Sequence, residues 1–144
     1  MGSSLAAEVG PEAAARIERL ADAAEKKRLD PESALDWSEP LGGAWMHMPR
    51  EFSPLAGTPE YDALDAAARR RLSLHEAASM LGTGIWFENL LINALARHNY
   101  NLTVDDPLFR FLLVEIEEEC RHSQMFAEYI RRAGTPPYRA SWWL

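Results

Sequence analysis

Glu119 and His122 stand three residues apart inside a segment, Pro107 to Ala133, whose residue pattern predicts one long helix. On a helix that spacing sends both side chains out of one face, where they can close on the same metal ion. Upstream, Glu88 is a lone carboxylate in the apolar stretch Gly84-Ile85-Trp86-Phe87-Glu88-Asn89-Leu90. An unpaired buried carboxylate costs several kcal/mol or has to take up a proton, so Glu88 needs a partner. Two carboxylates neutralise one divalent ion, and carboxylate oxygens with one imidazole suit iron, manganese or zinc. For redox work on oxygen the natural occupant is iron. A Glu-x-x-His pair alone is common by chance in a Glu-rich chain and usually sits on solvated surface. The case therefore rests on whether the chain can bring Glu88 to the same place.

The elements that would do this are two long helices. Ser73-Leu74-His75-Glu76 has the capping-box spacing, and from Leu74 a helical pattern runs to about Arg97 or His98, roughly 37 Å at 1.5 Å per residue. Asn99 to Asp105 reads as a turn, and Asp106-Pro107 restarts a helix that ends at Gly134 before Thr135-Pro136-Pro137. A short turn makes the two helices antiparallel. Glu88 lies ten residues before His98 and Glu119 twelve residues after Pro107, so their carboxylates fall within about 3 Å of each other along the axis. Leu81, Gly84, Ile85, Glu88, Leu91, Ile92 and Leu95 share one face of the first helix, with Gly84 leaving space beside Glu88. Leu108, Leu112, Glu115, Glu119, His122, Phe126 and Ile130 share one face of the second, while Glu117, Glu118, Arg121 and Glu128 fall mostly outside it. Glu115 is either an acceptor orienting His122 or a tolerated polar edge. Cys120 is expected to be a small packing residue beside the site, and His47, His75 and His98 to be surface or capping residues.

The remainder is less regular. Pro11 to Leu29 predicts a surface helix with a thin apolar stripe of Ile17, Leu20 and Ala24, and with Glu12/Arg16 and Asp22/Lys26 spaced for ion pairs. Asp30 to Gly57 carries four prolines and three glycines and reads as an irregular connection. Its Trp37, Trp45, Met46, Met48 and Phe52 either anchor a loop on the core or line a substrate cavity. Thr58-Pro59 starts a short helix running to about Arg70. The division expected is an N-terminal segment, 1–57, and a helical half-bundle, 58–144. The tail holds Trp142-Trp143-Leu144, an apolar end.

Composition narrows the function. The fold class is all-α, in one unit of 144 residues with 47% apolar residues. A net charge of −7 argues against a nucleic-acid partner, and no apolar run reaches membrane-spanning length. The N-terminus lacks the pattern of a secretory leader, so a cytoplasmic protein is expected. A single cysteine, Cys120, excludes an internal disulfide and any multi-thiolate metal site.

Several of these stretches resemble the p-aminobenzoate N-oxygenase family, ferritin-like non-haem di-iron oxygenases that oxidise aryl amines. They are Ser53-Pro54-Leu55 with Gly57-Thr58, Leu74 through Leu90, Asp105-Asp106-Pro107, and Glu119-Cys120-Arg121-His122-Ser123 with Met125-Phe126. The resemblance covers about Ser53 to Tyr138. It implies a ferritin-like helical bundle, a di-iron centre, and dioxygen and an aryl amine as substrates, with Glu88 as a lone carboxylate ligand and Glu119 and His122 as the Glu-x-x-His ligands. Members of the family are about twice as long and draw further ligands from later helices. No second Glu-x-x-His motif occurs in this sequence. The expectation is half of a two-metal site, completed by a second polypeptide or by a second copy of the chain in a homodimer. A homodimer of this kind could be an oxidase or a metal-storage module. A third reading is a helical interaction domain without catalysis.

Overall fold

Among the described residues there are four α-helices: α1, Pro11–Lys26; α2, Pro59–Asp62; α3, Ala66–Asn99; and α4, Pro107–Ala133. A 3-10 turn, Arg50–Phe52, interrupts the irregular connection between α1 and α2. The computed structural model describes residues 9–41, 43 and 45–136, and among these there is no strand. The all-α expectation holds. Tail residues Trp142, Trp143 and Leu144 lie outside the described residues.

α3 is longer than the sequence pattern suggests. Thr58 caps α2, its hydroxyl accepting from the Tyr61 amide at 3.2 Å, but α2 ends after a single turn. The chain re-enters helix at Ala66, where Asp65 caps the new element by accepting from the Ala68 amide at 2.7 Å. Ala66-Ala67-Ala68-Arg69-Arg70-Arg71-Leu72 holds strong helix formers and no breaker, so nothing stops the helix before Ser73. Ser73 is consequently an interior residue, not a cap. Its hydroxyl donates to the Arg70 carbonyl at 3.0 Å and accepts from the His47 amide at 3.1 Å. Glu76, expected to reach back to Ser73, instead accepts from the Ser53 hydroxyl at 2.6 Å.

The described residues form two units. One joins the part up to Ala34 with Phe87–Ser123, and so holds α1, the end of α3 and the start of α4. Its buried apolar residues are Ala21, Leu112 and Val114. Of the expected stripe Ile17 and Ala24 are half-buried, whereas Leu20 is 48% exposed and Ala21 is the buried residue of α1. Among the described residues the acidic side chains of α1 make no ion pair within the helix; Glu18, Asp22 and Glu25 converge on Arg110 of α4 at 3.1, 2.8 and 2.8 Å. At the α3–α4 turn, the buried Asp106 caps α4 by accepting from the Leu108 amide at 2.9 Å.

The other unit joins Leu35–Trp86 with the part from Gln124 onward. Tyr61, Ala77, Ala78 and Met48 are buried there, and the guanidiniums of Arg50 and Arg69 both lie over the Tyr61 ring. Of the loop's large apolar residues only Met48 is buried; Trp45 and Phe52 are 48% and 70% exposed. Trp37 is half-buried beneath the guanidinium of Arg132. The space expected beside Gly84 is filled, because a Cβ there would come within 3.0 Å of the Phe126 ring. α4 ends where Gly134 turns to a φ of +63°, a backbone region that glycine enters without a steric cost.

Candidate metal centre

Within the first unit the end of α3 and the start of α4 run antiparallel, and the depth calculation from the sequence is met. One ligand atom each from Glu88, Glu119 and His122 lies within 4.8 Å of the others. His122 Nδ1 is 2.9 Å from Glu119 Oε2 and 3.6 Å from Glu88 Oε1. The two carboxylates are largely withdrawn from water, at 17% and 13% exposure, whereas the imidazole is 41% exposed. Nδ1 is thus the ring nitrogen that faces both carboxylates.

The electrostatics are those of a site short of positive charge. Burial, above all, pushes the Glu88 carboxyl above its ordinary range; a hydrogen bond and the like charge of Glu119 act in the same direction, and His122 opposes them. Glu88 in its protonated form donates to Glu119. Glu115, one turn before Glu119, is half-buried and is also raised, first by burial and then by Glu119 and Glu118. The donor set therefore fits a divalent ion: two carboxylates and an imidazole converge, and their repulsion is relieved only in part.

Neighbouring residues depart from expectation. Arg121, placed outside the working face by its spacing, is buried and bonds Glu118 at 2.6 Å and Glu117 at 2.8 Å. Glu117 also receives Arg28 at 3.1 Å. These contacts keep the carboxylates of Glu117 and Glu118 occupied with arginine. Cys120 is exposed and does not pack beside the site. His75 and His98 are exposed, as expected, but His47 is half-buried against Trp45, with its Nδ1 2.8 Å from the Tyr129 hydroxyl. Sequence spacing carried no signal for that pairing, which spans 82 residues.

Comparison with known proteins adds a family. The model described as P-aminobenzoate N-oxygenase AurF matches residues 10–144. The match therefore reaches well before Ser53, into α1. Uncharacterized proteins of Mycobacterium bovis (strain ATCC BAA-935 / AF2122/97) and Mycobacterium tuberculosis (strain ATCC 25618 / H37Rv) are each 27% identical over 131 residues. Those alignments cover 85% of this chain and 38% of each relative. The chain thus spans well under half the length of the curated relatives it matches. No solved structure matches it.

Proposed function

The chain belongs to the p-aminobenzoate N-oxygenase family, and on that premise we propose that it supplies Glu88, Glu119 and His122 to a non-haem di-iron centre that oxidises a small aryl amine with dioxygen. The observation that carries this reading is the convergence of three ligand atoms from two helices within 4.8 Å. Its helical architecture agrees with the bundle that the family implies.

Each residue has a separable task. Glu88 and Glu119 contribute the negative charge that favours a divalent cation over a proton. Glu119 also orients the imidazole through the 2.9 Å contact, so that Nδ1 faces inward. Bound irons supply the activation of dioxygen and the electrons for oxygen transfer. Manganese fits the same donors.

Three ligands leave coordination positions for donors from another surface. Leu90 and Leu91, beside Glu88 on α3, are 50% and 41% exposed, which suits a face that a second copy of the chain or another polypeptide segment covers. Incubating iron-loaded protein with p-aminobenzoate, a reductant and dioxygen tests the activity. N-oxygenated product that disappears in Glu119→Ala supports it. Product formed equally without iron, or none from the assembled iron-loaded protein, counts against it.

A further inference from the structure

A second feature lies in the other unit, away from the three metal-site residues in sequence. Ala67, Arg70, Arg71 and Leu74 follow one another at helical spacing on α3 and, with Gly43 and His47 of the loop, line a cavity of about 170 Å³ that is partly open to solvent. Among the described residues, no acidic side chain lines it. That is unusual in a chain of net charge −7.

About half of the arginines among the described residues are ion-paired, and those of the cavity are not. Arg28, Arg50, Arg110, Arg121, Arg131 and Arg132 each have a carboxylate ion-pair partner. Among the described residues, neither Arg70 nor Arg71 has one within 4.0 Å. Asp65 feels both charges, but its carboxylate is engaged in capping α3 through the Ala68 amide. His47 completes the group. Its Nδ1 is taken by the Tyr129 hydroxyl at 2.8 Å, and its Nε2 is buried with no hydrogen-bond partner among the described residues. A buried ring nitrogen without a partner is costly, and a ligand oxygen is one way to satisfy it.

We propose that this cavity is a binding site for a small oxyanion, a carboxylate or phosphate group held by Arg70 and Arg71 with the imidazole of His47 as an additional hydrogen-bonding group. Guanidiniums recognise such planar or tetrahedral oxygen groups through charge-assisted hydrogen bonds. At about 170 Å³ the cavity is well below the roughly 300 Å³ at which pockets begin to bury drug-sized ligands, so the ligand is small. None of the lining residues belongs to the metal site, and the assignment does not depend on the oxygenase reading.

The test is an NMR titration of the full chain with inorganic phosphate and, separately, with benzoate. Saturable shifts of the His47 ring and Gly43 amide signals are expected with at least one of them. Phosphate alone would identify a phosphate site, benzoate alone a carboxylate site, and both a general oxyanion site. The Arg70→Gln/Arg71→Gln double variant should bind about tenfold or more weakly, with unchanged helix content by circular dichroism, whereas Arg97→Gln should bind as the parent does. The proposal is overturned if neither anion gives a saturable shift in the parent protein, or if the double variant binds as tightly as the parent.

Discussion

Glu88 Oε1 on α3 lies 3.6 Å from His122 Nδ1 on α4, although the two residues are thirty-four positions apart in the chain. Glu119 closes the third side, 2.9 Å from the same nitrogen. Such a cluster costs the empty protein stability, because two carboxylates that repel each other are largely withdrawn from water. A site kept for metal should therefore behave differently from a structural ion pair when one carboxylate is neutralised.

Glu88→Gln removes that repulsion and retains the side chain's shape. Without metal the variant should be more stable than the parent at neutral pH by on the order of 1 kcal/mol, a rise of several degrees in Tm. Its ferrous iron content should fall steeply. Calorimetry with iron analysis checks both; a less stable variant would show that Glu88 has a structural role instead.

The pH dependence follows from the same residue. Glu88 is held above its ordinary value of 4.5 in the folded protein, so below about 4.5 it is protonated both folded and unfolded and carries no penalty. As pH rises through the elevated folded value, folding has to accept an ionised Glu88, and stability is lost. Glu115 acts in the same sense. Glu128 acts in a different window: Arg131 and Arg132 hold its carboxyl down at about 2, so its contribution is present above about 4.5 and disappears as pH falls towards 2. Metal-free protein should thus lose thermal stability from pH 5 upward, and added ferrous ion should reverse the loss. Melting curves across pH, with and without the ion, measure it. A metal-free stability that climbs steadily over this range would contradict the assignment.

Arg110 gathers three carboxylates from α1 and is the main polar tie between α1 and α4. Arg110→Ala should leave α3 and α4 intact while amides from Ala21 to Glu25 exchange faster with solvent. High salt should give the parent protein a milder form of the same pattern, since these groups are half-exposed. Hydrogen exchange resolved by mass spectrometry reads this directly. Uniform loss of protection throughout the chain would mean that Arg110 supports more than α1.

Gly84→Ala sets helix propensity against packing. The alanine gains about 1 kcal/mol in helix propensity, but its Cβ meets the Phe126 ring at 3.0 Å. Overpacking of that kind costs typically ~1–3 kcal/mol, so net destabilisation of about 1 kcal/mol is expected by denaturant unfolding. A stabilised variant would show that the ring moves aside freely.

Much of the candidate site was legible in the sequence because helical geometry is local. The Glu119 and His122 spacing fixes a shared face, and a short turn with comparable offsets on either side fixes the depth of Glu88. The failures have local causes too. Ser73 and Glu76 have the spacing of a capping box, yet Ala66 to Leu72 gives the helix no reason to stop, and both side chains bond the preceding loop. Arg121 looked like a solvated position by periodicity. Its burial depends on Glu117 and Glu118, which neutralise it at the cost of their own freedom. The setting of His47 was invisible because Tyr129 and the face of α3 reach it from far along the chain.

Iron stoichiometry, measured together with molar mass after anaerobic reconstitution with ferrous ion, tests the metal assignment most directly. The expected result is about one iron per parent chain in an assembly larger than one chain, with little or none in Glu119→Ala or His122→Ala. Iron bound equally by those variants, or a parent protein that takes up no iron in any assembly state, would contradict the assignment of Glu88, Glu119 and His122 as ligands.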